Sequence, residues 1–213
     1  MHKFDAVGEE QKKVLDKLPY LKKIEGWLFG VEAAELFEIS SRIKSTRPVV
    51  CEIGVWKGKS SYVFASAMRE IGGMVYSIDP FNGDGDDESK GDYHREMKKL
   101  RVTLLENFEN TMDKYGLRRY VNILPMTSET ARSKFSEPAI DRLFIDGDHE
   151  YESVKKDYEL WSPLVPPGGT IVLHDVGAVH VDGPKRIMRE YIVHSLSWKN
   201  ARIVGEMGVA QKV

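Results

Sequence analysis

Residues 49–61, Val-Val-Cys-Glu-Ile-Gly-Val-Trp-Lys-Gly-Lys-Ser-Ser, leave this chain few ways to fold. Val49–Ile53 is apolar apart from one carboxylate, Glu52, the composition of a strand buried on both faces. Gly54 and Gly58 bracket a turn, and Ser60 or Ser61 offers an oxygen to the free N–H groups of a following helix. Strand, glycine turn and helix in that order open an α/β sheet, and ligands bind such sheets at the carboxyl ends of the strands.

The spacing narrows the ligand. A dinucleotide turn reads G-x-G-x-x-G, with the second glycine allowing the backbone to approach a pyrophosphate. Trp56 stands at that second position, and its bulk argues against a pyrophosphate there. The P-loop spacing is absent too. A nucleoside without phosphates fits beside the acid, and S-adenosylmethionine (SAM), with its positive sulfonium, is such a molecule. A turn holding no ligand is the plain alternative.

The rest of the chain alternates the two periodicities. Residues 9–43 read as helices interrupted at Pro19 and by the apolar knot Gly26-Trp27-Leu28-Phe29-Gly30. Residues 1–45 are expected to form a helical cover over a sheet domain spanning 46–213. Strands are expected at 49–53, 74–78, 121–124, 141–145 and 170–173, with two short ones at 201–204 and 209–213. Helices are expected at 60–71, from 93 or 97 to 115, and at 129–135, 151–164 and 184–196. Leu100, Leu104, Phe108 and Met112 fall on one helical face. Residues 81–92 are too acidic and glycine-rich to pack, and read as a solvated loop, a lid or a metal-binding loop. The alternation argues for a mostly parallel sheet with helices on both faces.

Four strands end in polar groups: Glu52, Asp79, Asp146-Gly147-Asp148-His149 and His174-Asp175. Four such ends point to one cleft along the carboxyl edge. Asp79 lies where a ribose is held in nucleoside-binding α/β folds. Thr127 and Ser128 either cap the next helix or face the adenine. Asp146 and Asp175 converge, and a divalent cation relieves their repulsion, Mg²⁺ suiting the oxygen donors and His174 completing the set. Asp146 capping the next helix is the competing reading. His149, expected in the first turn of that helix, is placed to take a hydroxyl proton, with Asp148 orienting it or capping the helix.

Composition closes off other classes. Lys plus Arg is 31 and Asp plus Glu 33, giving a formal charge of −2, so charge makes no case for a nucleic-acid partner. The start lacks a signal peptide's apolar region, and no run approaches the ~20 residues of a membrane span. The expected protein is cytoplasmic and does not bind membrane. The single cysteine, Cys51, reads as a core residue.

These motifs carry a resemblance. Glu52-Ile-Gly-Val-Trp-Lys-Gly-Lys-Ser-Ser resembles the first motif of class I SAM-dependent methyltransferases, and Ile78-Asp79-Pro80 their acidic second motif. Phe144-Ile-Asp-Gly-Asp-His-Glu-Tyr-Glu-Ser-Val-Lys-Lys-Asp followed by Pro-Pro-Gly-Gly-Thr-Ile-Val-Leu-His-Asp is similar to one branch, that of small-molecule and macrolide-sugar O-methyltransferases and cephalosporin-hydroxylase-like proteins. The resemblance implies a Rossmann-like three-layer α/β/α sandwich, with a seven-stranded sheet of order 3-2-1-4-5-7-6 and the last strand antiparallel. It implies SAM contacts from Glu52, Gly54, Gly58 and Ser60, with Asp79 on the ribose; Trp56, Ser61, Thr127, Ser128 and Asp146 are expected along the same site. It implies Mg²⁺ on Asp146, His174 and Asp175, His149 as base with Asp148 beside it, and a small-molecule acceptor. His174 departs from the branch, which carries a glutamate there, and Thr127 stands where an aspartate often meets the adenine. A SAM-binding accessory protein and a nicotinamide-dependent oxidoreductase are the alternatives, and homo-oligomerisation is left open.

Overall fold

The computed structural model describes residues 7–86 and 90–213. The elements run α1 (Glu9–Leu15), α2 (Gly30–Ser41), β1 (Val49–Ile53), α3 (Lys59–Ile71), β2 (Met74–Ile78), α4 (Lys90–Met97), α5 (Leu104–Lys114), β3 (Val121–Leu124), α6 (Ser128–Lys134), β4 (Arg142–Ile145), α7 (Tyr151–Trp161), β5 (Thr170–Leu173), α8 (Gly183–Ile187), β6 (Trp198–Val204) and β7 (Met207–Lys212). The sheet order is β3-β2-β1-β4-β5-β7-β6. β1 to β5 pair in parallel, and β7 runs antiparallel between β5 and β6. This is the expected Rossmann-like architecture.

Side-chain alternation along each strand divides the interior into two layers. Val50, Phe144 and Val172 face α2, α3 and α5, packing with Phe37, Phe64 and Phe108. Cys51, Leu143, Ile145 and Leu173 face α7 and α8, packing with Val154, Trp161 and Ile187. Leu18, Leu21, Leu36 and Phe37 from the chain's start belong to the first layer, so residues 1–45 contribute directly to the sheet's core where they are described. Among the described residues no helix is long and apolar enough to cross a membrane.

Several elements differ from expectation. The helix expected from 93 or 97 to 115 is two helices. Thr103 starts the second with a capping box, its Oγ1 accepting from Glu106 N at 3.1 Å while Glu106 accepts from Thr103 N at 2.8 Å. Leu104, Phe108 and Met112 are buried on one face of α5, whereas Leu100 precedes the helix. The helix expected at 184–196 is α8 continued by a π-helical stretch, Met188–Val193. Part of the acidic loop expected at 81–92, residues 87–89, lies outside the described residues.

Candidate active site

The sheet register aligns the site. Ile53 pairs with Ile78 and with Ile145, and Ile145 pairs with Leu173. The next residue of each strand, Gly54, Asp79, Asp146 and His174, therefore stands along one edge. A cleft of about 950 Å³ opens there. Gly54, Trp56, Ser60, Asp79, Thr127, Ser128, Asp146, Asp148, His149, His174 and Asp175 all border it.

Glu52, Gly58 and Ser61, expected as donor contacts, do not border it. Strand alternation turns Glu52 toward α3, the side of Val50, where it is fully buried. There it accepts hydrogen bonds from Ser61 Oγ and, at 3.1 Å, Ser77 Oγ. Ser61 thus serves Glu52, and α3 begins behind Gly58 (φ 86°) with no side-chain cap, contrary to the capping expected of Ser60 or Ser61. A Cβ on Gly58 would lie 2.6 Å from the Phe108 ring, so this glycine seats α5.

Burial raises the Glu52 carboxyl from 4.5 to about 7, against the hydroxyls that favour its ionised form. The fold therefore holds a proton that the unfolded chain has released between those values, and stability attributable to Glu52 declines as pH rises through about 7. Glu52→Gln is expected to remove that decline. Urea titrations from pH 5 to 8 should show the variant gaining about 3 kcal/mol on the parent at the upper end; a pH-independent difference would sink this account.

Asp79 braces the glycine turn. Its Oδ2 accepts from Val55 N at 2.8 Å and Trp56 N at 3.1 Å, and its Oδ1 from Phe81 N at 2.6 Å. Trp56 (φ 51°), Phe81 (φ 54°) and Asp175 (φ 57°) adopt the left-handed conformation, strained for such residues, all at strand ends around the cleft. Thr127 caps α6 through Thr130 N and also borders the cleft. Ser128 Oγ donates to Asp157 of α7, a carboxyl that burial pushes up to about 6.

The polar centre combines residues the sequence separates widely. His149 precedes α7 instead of lying in its first turn. Its Nδ1 lies 2.7 Å from Asp86 Oδ2, and its Nε2 lies 3.1 Å from Asp175 Oδ2, within ion-pair range but off a hydrogen-bond line. Asp148 does not orient the ring; its Oδ1 accepts from Glu150 N at 2.7 Å, bracing the turn before α7. Asp146, expected by one reading to cap that helix, instead lies beside His174, whose Nδ1 is 3.1 Å from Asp146 Oδ1 and 3.0 Å from Asp175 Oδ2. His174 Nε2 is 3.4 Å from Glu32 Oε2, a fully buried carboxylate from α2.

Burial opposes charge on both imidazoles, yet their neighbours prevail. Asp175, Asp146 and Asp86 bring His149 up to about 9. Asp146, Asp175 and Glu32 hold His174 well above its ordinary value. Burial raises Asp146, and it would raise Asp175 too, but the imidazoles of His149 and His174 beside Asp175 outweigh burial and pull that carboxyl below its ordinary value.

Donor atoms of Asp146, His149 and Asp175 all lie within 4.8 Å of one another. The expected metal set was Asp146, His174 and Asp175; His149 joins the two carboxylates in this group, while His174 Nδ1 also lies against both of them and its Nε2 faces Glu32. Sequence reasoning missed Asp86 and Glu32. Asp86 is one acid among several in a polar loop, and Glu32 resembles an ordinary first-turn helix acid. No periodicity distinguishes either.

Residues 51–176 match the sequence profile of a family described as "Methyltransferase domain". The uncharacterized protein y4gI of Sinorhizobium fredii (strain NBRC 101917 / NGR234) is 25% identical over 128 residues, 59% of this chain but only 13% of that protein. The chain spans a small fraction of that relative's length. The O-methyltransferase NovP superposes with a TM-score of 0.68 at 19% identity, over 87% of this chain and 81% of its own. TomG from Streptomyces achromogenes, an O-methyltransferase involved in tomaymycin synthesis and solved with SAM, gives 0.63 at 14%, over 99% and 92%. The Bacillus cereus O-methyltransferase solved with SAH gives 0.61 at 13%, over 97% and 92%. At these identities the structural likenesses speak for the fold alone.

Proposed function

The chain belongs to the methyltransferase-domain family, and from that premise we propose that it transfers the methyl group of SAM to a hydroxyl of a small-molecule acceptor, with His149 as general base. One observation carries the reading. An imidazole anchored by Asp86 through Nδ1 turns Nε2 toward Asp175, on the sheet edge where the glycine turn lies.

The turn supports the donor. Ser60 brings the start of α3, which has no side-chain cap, to the cleft, and a helix start suits a carboxylate such as SAM's. Asp79 serves the donor chiefly by holding the Val55–Trp56 backbone in place, with three of a carboxylate's roughly four accepting sites occupied. In the transfer an acceptor oxygen lone pair attacks the methyl carbon, the C–S bond breaks with its electrons going to sulfur, and the hydroxyl proton passes to His149 Nε2. Alignment of the two reactants supplies much of the rate.

Two carboxylate oxygens and an imidazole nitrogen within 4.8 Å fit a divalent cation such as Mg²⁺. Asp146, Asp175 and His149 would hold it, and a bound cation would lower the hydroxyl's pKa and orient it. A ring nitrogen engaged with a cation cannot also accept a proton, so His149 as base leaves the cation to the two carboxylates.

Calorimetry with SAM, followed by labelled-methyl transfer to alcohols, phenols and amines with Mg²⁺ or EDTA, tests the reading. Heat with SAM and label on oxygen are expected. Absence of heat removes the donor, label on amines alone removes the hydroxyl, and indifference to EDTA and to Asp175→Asn removes the cation. The positioning of the base is tested separately. Asp86→Asn is expected to lower kcat about 10–100-fold, whereas Asp148→Asn leaves it within about threefold; the reverse ranking would return the orienting role to Asp148.

A further inference from the structure

We propose that the mouth of the cleft is an aromatic clamp, in which Trp27, Trp56 and Tyr93, packed on one another, hold one face of a flat aromatic acceptor on their open side while its hydroxyl reaches His149. This rests on the methyl-transfer reading and names its acceptor class. The three rings come from separate segments: the stretch before α2, the β1–α3 turn and α4. Their centroids lie 5.8 Å (Trp27–Trp56), 4.8 Å (Trp56–Tyr93) and 5.6 Å (Trp27–Tyr93) apart, and all three border the cleft. Trp56 is half-buried with one side on the core of the first layer, and Tyr93 is half-buried, but Trp27 is not core packing. Phe64, Phe108, Phe144 and Trp161 are each less than 2% exposed, whereas Trp27 is 56% exposed despite its ring neighbours.

Trp56 is held in place against its own backbone preference. Its φ of 51° is strained for a bulky residue, and Asp79 secures the conformation through Trp56 N. Strain maintained by a dedicated hydrogen bond at a cleft is a mark of function. The Lys57 ammonium, itself buried and paired with the more exposed Glu25 and Glu96, lies 5.4 Å from the Trp56 ring centroid. An indole already facing a cation is a poor host for a second one and a better partner for an electron-rich ring.

The clamp adjoins the base through two consecutive residues. Gly85 passes so close to Tyr93 that a Cβ there would lie 2.8 Å from its ring, and Asp86 then reaches His149 at 2.7 Å. A planar ring held by Tyr93 thus stands next to the loop that anchors the imidazole. At about 950 Å³ the cleft is at the upper end of the roughly 300–1,000 Å³ of drug-sized sites, with room for an acceptor beside the nucleoside.

The test uses SAH-saturated protein and two probes of like size, 2-naphthol and its saturated counterpart decahydro-2-naphthol, with binding measured by calorimetry. Saturation makes the second probe at least as apolar but its hydroxyl less acidic, so the part of any preference that Trp27→Ala removes is what reports on the rings. The parent is expected to bind 2-naphthol about tenfold more tightly. Trp27→Ala should reduce the preference to within about twofold, Trp27→Phe should restore it, and SAH affinity should be unchanged in both. Equal affinity for the probes, or binding of neither, by SAH-bound parent overturns the clamp and leaves the donor reading standing. Loss of SAH affinity in Trp27→Ala gives the rings to the donor and also overturns it. A parent that fails to bind SAH overturns the donor reading and this one with it.

Discussion

Replacing His149 by alanine is expected to lower kcat about 10²- to 10⁴-fold, the range attributable to a positioned general base, with SAM affinity unchanged by calorimetry. The ring donates no structural hydrogen bond to the glycine turn; its partners are Asp86 and Asp175. The parent should also show the ring's electrostatic setting. Burial alone would lower the imidazole's pKa, but Asp175, Asp146 and Asp86 bring it to about 9. A base must first be deprotonated, so with EDTA present kcat/KM is expected to climb with pH along a limb whose midpoint is about 9. In His149→Ala that limb should vanish. Unchanged turnover in the variant would remove the base assignment, and a limb near the ordinary histidine value would remove its electrostatic explanation.

The second large effect is steric. A Cβ on Gly54 would lie 2.0 Å from the backbone oxygen of Asp146, at a φ of 83° that disfavours any side chain. Neither partner is free to yield. Gly54 N donates to Ile78 O at 3.0 Å, and Asp146 N donates to Ile53 O at 2.8 Å, so shifting either strand end breaks the register that aligns the site. Gly54→Ala is expected to cost about 3–5 kcal/mol in urea unfolding and to abolish SAM binding in whatever remains folded. Gly72→Ala is the matched control. Gly72 has φ 77° but open space around it, so only the left-handed backbone penalty of about 1–2 kcal/mol applies. Equal losses in the two variants would mean that the strand ends relax around the added methyl group.

The contrast between these two glycines shows which information was local. That Gly72 ends a helix could be read from its neighbours, because capping is settled within a few residues. That Gly54 must be glycine depends on a carbonyl 92 positions later. The parallel strands were legible because buried strands need continuous apolar runs, and their order followed from a resemblance. The break before α5 was written in Thr103 and Glu106, a local signal masked by the apolar spacing of Leu100, Leu104 and Phe108.

By itself the sequence determined a doubly covered, mostly parallel sheet, a glycine turn after its first strand, and acids and imidazoles at the strand ends. Periodicity and turn chemistry act over a few residues, and each of those features is that short. Only the tertiary structure decided what each polar group faces. Strand alternation took Glu52 away from the cleft and under α3. The fold brought Asp86 from an acidic loop and Glu32 from a helix to the two imidazoles, and left Asp148 to brace a turn. Those pairings span 63 residues (Asp86–His149) and 142 residues (Glu32–His174). Distances of a few ångströms between such groups are fixed by packing, to which no local pattern in the chain gives access.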